Sequence, residues 1–323
     1  MPFLAISFLL LAVTLAVSFY TYHRCFYSRP GHHAGPYEPL RGQQFQAVEE
    51  NLFRVISIME RYSFEDVGIT AYDGTPLRGR YYHFVDGAPL LILCHGYRSS
   101  ALRDCCGGHA LGRKMGFNVL VIHQRCHGES GGRTITFGIR ERHDVVSWVR
   151  WANDRFGTDT PIMLFGLSMG AATVLMANEV GYPENVVCIM ADSPYCAPSD
   201  IILKVCKDMG YPPGICYPFI RLGAFLFGGF RLNACTAMEA VRSAAVPILL
   251  IHGEDDRLVP CEMSSQIAAN CASSVTVATF PGAGHGLSYM TDPAGFERVV
   301  FDFLNKIPQI SPWICETFRN SMN

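Results

Sequence analysis

PIMLFGLSMGAATVLMAN, residues 161–178, decides how the rest of the chain is read. A short apolar run, 162–165, stops at Gly166-Leu167-Ser168-Met169-Gly170, and a segment rich in Ala, Leu and Met follows at once. Strand, Gly-x-Ser-x-Gly and helix is the order that holds a serine on a strained turn with its hydroxyl pushed outward. Glycines on both sides let the strand and helix backbones approach closely. The helix N-terminus then offers N–H groups and the positive end of its dipole to a developing oxyanion, and Met169 N–H is the donor expected there. The pentapeptide alone is weak, because a chain with 30 glycines meets it by chance. Its weight depends on an acid and a histidine following in the right places.

They do follow. Downstream apolar runs at 247–251 and 275–280 are succeeded by HGEDDRLVP (252–260) and PGAGHG (281–286). A serine alcohol needs a base within hydrogen-bond reach, and a histidine base needs a carboxylate to fix its tautomer. Ser168, then Asp256, then His285 is one of the known chain orders for such a triad. Each group comes just after a predicted strand, at the edge where parallel sheets place their sites.

The intervening chain supports a parallel sheet. Residues 67–72 and 77–84, separated by Asp73-Gly74, read as an antiparallel hairpin. Residues 89–94 form a continuous apolar run, as a strand buried on both faces requires. Helical patterns at 101–115 and 139–155 alternate with strands at 118–122, 162–165, 186–190, 247–251 and 275–280. That alternation predicts βαβ units and a largely parallel sheet with helices on both faces. The stretch 193–245 is far longer than an ordinary crossover. Its aromatic residues, broken by Pro212-Pro213 and Gly228-Gly229, predict a small helical cap over the sheet edge that carries the serine, with an apolar substrate channel as one outcome and plain core packing as the other.

The chain start is different in kind. Residues 1–22 carry no charged side chain, enough to cross about 30 Å of hydrocarbon as a helix. A cleaved signal would show a basic leader and a small-x-small site, so a retained transmembrane anchor over 1–25 is expected. Arg24, Arg29 and Arg41 follow the span, which favours a cytoplasmic catalytic domain. The 13 cysteines include no CxxC pair and read as reduced thiols, in agreement. Residues 26–63 are expected to be a juxtamembrane linker followed by an amphipathic helix at 43–61, lying on the domain or the bilayer. The hydrolytic domain is then expected over 64–308, with a tail over 309–323.

At 323 residues with 49% hydrophobic and 17% charged side chains, the chain suits a globular protein with a sizeable core plus a membrane segment. A net charge of −2 and the lack of a Lys/Arg run give no reason to expect nucleic acid. Histidine and cysteine groupings (His32 with His33; His123, Cys126 and His127; Cys105, Cys106 and His109) lack recognised zinc spacing, so no metal or other cofactor is expected. His95 reads as a structural loop residue.

Together the motifs His95-Gly96-Tyr97, Gln124-Arg125-Cys126-His127-Gly128-Glu129-Ser130, the serine elbow, His252-Gly253-x-x-Asp256-x-x-Val259-Pro260 and Gly284-His285-Gly286 resemble α/β-hydrolases. The similar branch is that of esterases, lipases and serine aminopeptidases, particularly small membrane-anchored bacterial members. The resemblance spans about residues 64–307 and implies an α/β-hydrolase fold. It implies Ser168 as nucleophile, His285 as base and then acid, and Asp256 as orienting carboxylate, chosen over Glu254 and Asp255 by the register of Leu258-Val259-Pro260. It also implies an oxyanion hole from the N–H groups of Tyr97 and Met169. Relatives usually carry Asp at 123 and Gly at 126, so His123 and Cys126 put the shape of that loop in question. The expected activity is hydrolysis of ester or thioester bonds in apolar, lipid-like acyl substrates. The alternatives are an aminopeptidase or amidase, with Glu254, Asp255 or Glu129 meeting the substrate amine, and a non-catalytic membrane-tethered binding module. Oligomeric state is not legible.

Overall fold

In the computed structural model, which describes residues 2–29, 35–38 and 43–322, the elements alternate much as the apolar runs predict. Helix α1 (Pro2–Cys25) is followed by one turn, α2 (Gln43–Gln46), and by α3 (Glu49–Met59). Then come β1 (Glu65–Thr70), β2 (Pro76–Tyr82), β3 (Leu90–Cys94), α4 (Ala101–Met115), β4 (Asn118–His123), α5 (Glu141–Phe156), β5 (Ile162–Leu167), α6 (Met169–Met176) and β6 (Val186–Asp192). The long insertion contributes α7 (Pro198–Asp208), α8 (Pro213–Leu226) and the short α9 (Ala237–Ala240). The chain closes with β7 (Ile248–Gly253), α10 (Glu262–Ala268), β8 (Val275–Phe280), α11 (Ser288–Thr291), α12 (Pro293–Leu304) and α13 (Glu316–Met322).

The eight strands form one sheet in the order β1-β2-β4-β3-β5-β6-β7-β8. The β1–β2 hairpin is antiparallel and joins β4 antiparallel, and the remaining pairs are parallel. Every residue of β3, β6 and β7 is buried, as their unbroken apolar runs demand, whereas β8 at the edge is half exposed. One core layer packs α5, α6 and the insertion on one face; the other packs α3, α4 and α12 on the opposite face. This is the α/β-hydrolase fold.

Three expected boundaries shift. The expected linker at 26 is docked: Phe26 is fully buried, and residues 26–28 bond to 133–135 through Ser28 N to Arg133 O (2.9 Å) and Ile135 N to Phe26 O (2.8 Å). Helix α3 buries Leu52, Val55, Ile56 and Met59 in the core layer with α4, so its amphipathic stripe faces the domain. The expected tail beyond 308 is also part of the domain. Ile310, Ile314 and Phe318 are buried there, and Cys315 N donates to Met115 O (2.9 Å). Apolar residues spaced by four explain that docking. His32, His33 and Arg41 lie outside the described residues.

Helix α1 is long and apolar enough to cross a membrane, with most of its surface uncovered by the protein. Only its last turns touch the domain, where Ser18 and Tyr22 are buried.

Candidate active site

Ser168 sits between β5 and α6 with φ 57° and ψ −115°, a conformation that costs a non-glycine residue of order 1–3 kcal/mol. Its neighbours explain the flanking glycines. A Cβ on Gly166 would lie 2.2 Å from Gly170 O, and one on Gly170 would lie 2.1 Å from Cys94 O. The turn is therefore closed backbone against backbone, and it lifts the serine side chain out of the sheet edge.

Two further strand ends meet it. Ser168 Oγ–H donates to His285 Nε2 (2.8 Å), and His285 Nδ1–H donates to Asp256 Oδ2 (2.7 Å). Asp256 Oδ1 accepts Leu258 N–H and Val259 N–H, each at 2.9 Å. His252 supports the same carboxylate: its Nε2 donates to Val259 O (2.9 Å) and lies 3.3 Å from Asp256 Oδ2, while Ser264 Oγ–H donates to its Nδ1 (2.7 Å). Burial raises the Asp256 carboxyl, but the bonds from His252 and His285 outweigh it and hold the group well below the usual carboxylate range. Asp256 is buried while its rivals Glu254 and Asp255 are exposed, so burial separates the three acids.

Gly96-Tyr97-Arg98 forms the facing wall. Gly96 N–H donates to Asp104 Oδ2 (2.8 Å) and Arg98 N–H to His127 Nε2 (2.8 Å). Between them, Tyr97 N–H has no acceptor among the described residues. Met169 N–H, the first of α6, has no intrahelical acceptor either. Both N–H groups expected to face an oxyanion are thus unspent. His95 and His127 prove to be loop braces. His95 Nδ1–H donates to Gly96 O (2.8 Å) and His127 Nδ1–H to Arg125 O (2.9 Å), and burial lowers the pKa of each imidazole. Arg125 forks onto Asp144 with two bonds of 2.6 Å and reaches Asp73 at 2.8 Å, fixing the 124–130 loop. Cys126 adopts φ 67°, the left-handed conformation that glycine would take more easily, and burial pushes its thiol up to about 12, which disfavours the thiolate. His123, the last residue of β4, braces the loop by accepting Glu129 N–H (3.2 Å). Cys105, Cys106 and His109 are buried along α4.

A cavity of about 210 Å³ opens at Ser168 and His285. Its lining includes Tyr97, Leu167 and Tyr289 and the apolar side chains of Phe165, Met290 and Phe296. Phe45 and Leu52 of α2 and α3 also line it, whereas none of its lining residues comes from 193–245, so the insertion supplies no wall of this cavity. The insertion leaves β6 toward the core layer of α5 and α6 and packs α8 on α1. Its composition shows that it buries apolar surface but not against which element.

The site also contains two features that the motifs miss. Asp192, 2% exposed at the end of β6, lines the cavity beside Ser168. Ser193 Oγ–H donates to Asp192 Oδ1 (2.9 Å) and accepts Gly286 N–H (3.2 Å), tying the carboxyl to the loop that carries His285. A polar pair closing the apolar run 186–191 at a strand end is the signal that could have found it. Burial, only partly offset by the Ser193 bond, raises the Asp192 pKa to about 6. Because the folded value lies above the ordinary aspartate value, the native state holds this proton more tightly and loses stability as pH rises from about 4 to about 6. Asp192→Asn is therefore expected to gain up to about 3 kcal/mol at pH 8 and nothing at pH 4, measured by denaturant unfolding at both values. An equal effect at both pH values would remove the charge explanation.

The second feature is a clamp. Tyr97 Oη–H donates to Cys25 O (2.8 Å), and Arg98 Nη2 donates to Arg24 O (3.0 Å) and Tyr27 O (2.9 Å). The last carbonyls of α1 have no intrahelical donors, and a cation there suits the negative end of the dipole. The loop that presents Tyr97 N–H is thus held by the end of α1. Arg98→Ala is expected to lower kcat about tenfold with KM nearly unchanged, since charged hydrogen bonds contribute about 1.5–3 kcal/mol. Michaelis kinetics beside a melting curve would check it. An unchanged kcat would show that the clamp does not position the loop.

Residues 89–210 match the alpha/beta hydrolase fold family, and residues 220–287 match a family described as serine hydrolase (FSH1). Among curated relatives, the uncharacterized protein YqkD of Bacillus subtilis is 24% identical over 80% of this chain and 83% of its own length. A monoacylglycerol lipase of Mycolicibacterium smegmatis is 25% identical over 62% of this chain and 82% of its own. Among solved structures, the Pyrococcus furiosus esterase Pf2001 superposes with a TM-score of 0.66 at 24% identity, covering 87% of this chain and 98% of that one.

Proposed function

Given that this chain has the α/β-hydrolase fold and matches the alpha/beta hydrolase and serine hydrolase families over residues 89–210 and 220–287, we propose that it is an esterase-type serine hydrolase that cleaves ester or thioester bonds of apolar acyl substrates through Ser168, His285 and Asp256. The observation that carries this is the continuous relay from Ser168 Oγ to His285 to Asp256 at the mouth of an apolar cavity.

Ser168 Oγ attacks the acyl carbonyl as its proton passes to His285 Nε2. Asp256 stabilises the imidazolium that results. Tyr97 N–H and Met169 N–H hold the oxyanion, each donor being worth a few kcal/mol of barrier in comparable sites. The intermediate collapses, His285 gives its proton to the leaving alcohol or thiol, and an acyl-serine remains. Water then repeats the cycle, with His285 again taking and returning a proton. Phe165, Met290 and Phe296 receive the acyl chain, which gives the preference for apolar acyl groups.

A peptidase reading has less support. Glu254, Asp255 and Glu129, the acids that would meet a substrate amine, are not in the cavity wall. The carboxylates that are, Asp104 and Asp192, are engaged by Gly96, Ser99 and Ser193. Turnover of p-nitrophenyl esters of graded length, beside aminoacyl p-nitroanilides, tests the choice. Faster anilide than ester turnover would overturn it.

Helix α1 acts as a membrane anchor in this reading, with the catalytic domain on the cytoplasmic side. Arg24 and Arg29 follow the span, and the 13 cysteines form no disulfide among the described residues. External protease added to intact cells is expected to leave the domain whole; its digestion there would place the domain outside.

A further inference from the structure

The insertion between β6 and β7 leaves an apolar face that the catalytic cavity does not use. Residues 209–230, MGYPPGICYPFIRLGAFLFGGF, contain one charged side chain, Arg221. The inner side of α8 is accounted for: Ile220, Gly223 and Ala224 are buried. The outer side and the turn before it are not covered. Ile215 is 65% exposed, Met209 58%, Tyr211 and Phe225 53% each, and Leu226 46%. Soluble surfaces rarely group so many large apolar side chains.

What lies beside this face identifies its occupant. Helix α8 crosses the last turns of α1 in close contact. Gly223 meets Ser18 so tightly that a Cβ would lie 2.3 Å from Ser18 O, and Thr21 Oγ1–H donates to Phe219 O (3.2 Å). Phe227 packs edge-on to Phe19 at 5.1 Å. Small residues at a crossing with a hydrogen bond beside it are how helices associate in lipid. The exposed apolar surface of α8 therefore runs on into that of α1, where Phe19 and Tyr20 are also exposed.

Depth follows from helix geometry. At 1.5 Å per residue, α1 is about 36 Å long, and Ser18 lies about 10 Å from its C-terminal end. A hydrocarbon core of about 30 Å laid over the N-terminal part of α1 places the crossing at the inner boundary of that core. An apolar helix there, with three aromatic residues and a lone arginine, has the composition of an interfacial element. Arg221 can reach the headgroups while its neighbours sit among acyl chains.

We propose that α8 and the turn between α7 and α8 are embedded in the lipid interface beside α1, so that the domain stands on the membrane through two packed helices. This rests on the reading of α1 as a membrane span. It gives the insertion a role that the cavity does not supply. It also gives the clamp at Cys25 a consequence, because the wall of the catalytic cavity is fastened to the same footing. A second copy of the chain is the competing occupant.

The test uses the full-length chain reconstituted in phosphatidylcholine–phosphatidylglycerol vesicles. Ile215→Trp and Leu226→Trp each add one reporter at an exposed site, and Tyr72→Trp adds one on the β1–β2 hairpin as a control. Tryptophan emission is compared in ordinary lipid and in lipid brominated on the acyl chains. Both cap reporters are expected to emit at shorter wavelength than the control and to lose their added emission in brominated lipid, with no such loss at position 72. Chains that float with the vesicles but show no quenching at 215 and 226 overturn the proposal while leaving the span intact. Cross-linking between copies through that face in such a sample would assign it to a dimer. Wild-type chains that fail to float would overturn the span and, with it, the proposal.

Discussion

Asp256→Asn is expected to lower kcat for a p-nitrophenyl ester by about 10⁴ with little change in KM, because the fold is kept and the histidine tautomer is lost. Asn Oδ1 can still accept Leu258 N–H and Val259 N–H, as Asp256 Oδ1 does. Its amide then faces His285 Nδ1 as a donor, so the ring turns its proton to Nε2 and cannot take one from Ser168. His252, 3.3 Å from the same carboxylate, loses an acceptor as well. Because the folded Asp256 carboxyl is held below its usual range, its stabilising contribution is complete above the unfolded pKa. It is lost only as pH falls through the folded one. The acid limb of a pH–rate profile therefore does not report Asp256. A variant rate within tenfold of wild type would mean that another carboxylate orients His285, and Asp192 would be the first to examine.

The second large effect is structural. Gly170→Ala puts a Cβ 2.1 Å from Cys94 O and 2.7 Å from His95 O, so β3 and α6 must separate. Neither contact is a flexible side-chain end, and the strand is buried on both faces. A loss of about 3 kcal/mol is expected, the upper end of the usual cost of core overpacking and forced backbone shifts. Residual folded protein should have little activity, since the same movement carries Met169 N–H and Gly96 away from Ser168. Thermal unfolding in detergent, with Gly181→Ala as control, would measure it. A Cβ at Gly181 meets nothing within 4 Å, though its φ of 84° makes the alanine mildly strained. A Gly170→Ala protein as stable as the control would contradict the close approach of β3 and α6.

The parts of this molecule that were legible in the sequence are those written by backbone constraint and strand burial. Gly166 and Gly170 announce a turn that tolerates no side chain, and the apolar runs 89–94, 162–165, 186–190 and 247–251 announce strands of a sheet covered on both faces. Because β-strand ends share one edge of a parallel sheet, the order Ser168, Asp256, His285 was enough to expect three groups in one place. The choice among Glu254, Asp255 and Asp256 needed the family register, and burial accounts for it in space. What was not legible depends on which surface meets which. Apolar side chains at 45, 52 and 209–230 signal burial without naming a partner, so the sequence does not tell that α2 and α3, and not the insertion, contribute to the cavity lining. The clamp from Tyr97 and Arg98 to the end of α1 was hidden for a similar reason. Its acceptors are backbone carbonyls, which leave no mark on sequence. Asp192 was passed over because a carboxylate closing an apolar strand reads as a loop start unless its neighbours in space are known.

The measurement that bears most directly on the account is labelling of the purified full-length protein with a fluorophosphonate probe, wild type beside Ser168→Ala and His285→Ala. Strong labelling of wild type, none of Ser168→Ala and a large loss in His285→Ala is the expected result, since the probe reports a serine activated by its base. A folded wild-type protein that stays unlabelled, or a Ser168→Ala protein that labels as well as wild type, would contradict a catalytic serine at the turn between β5 and α6.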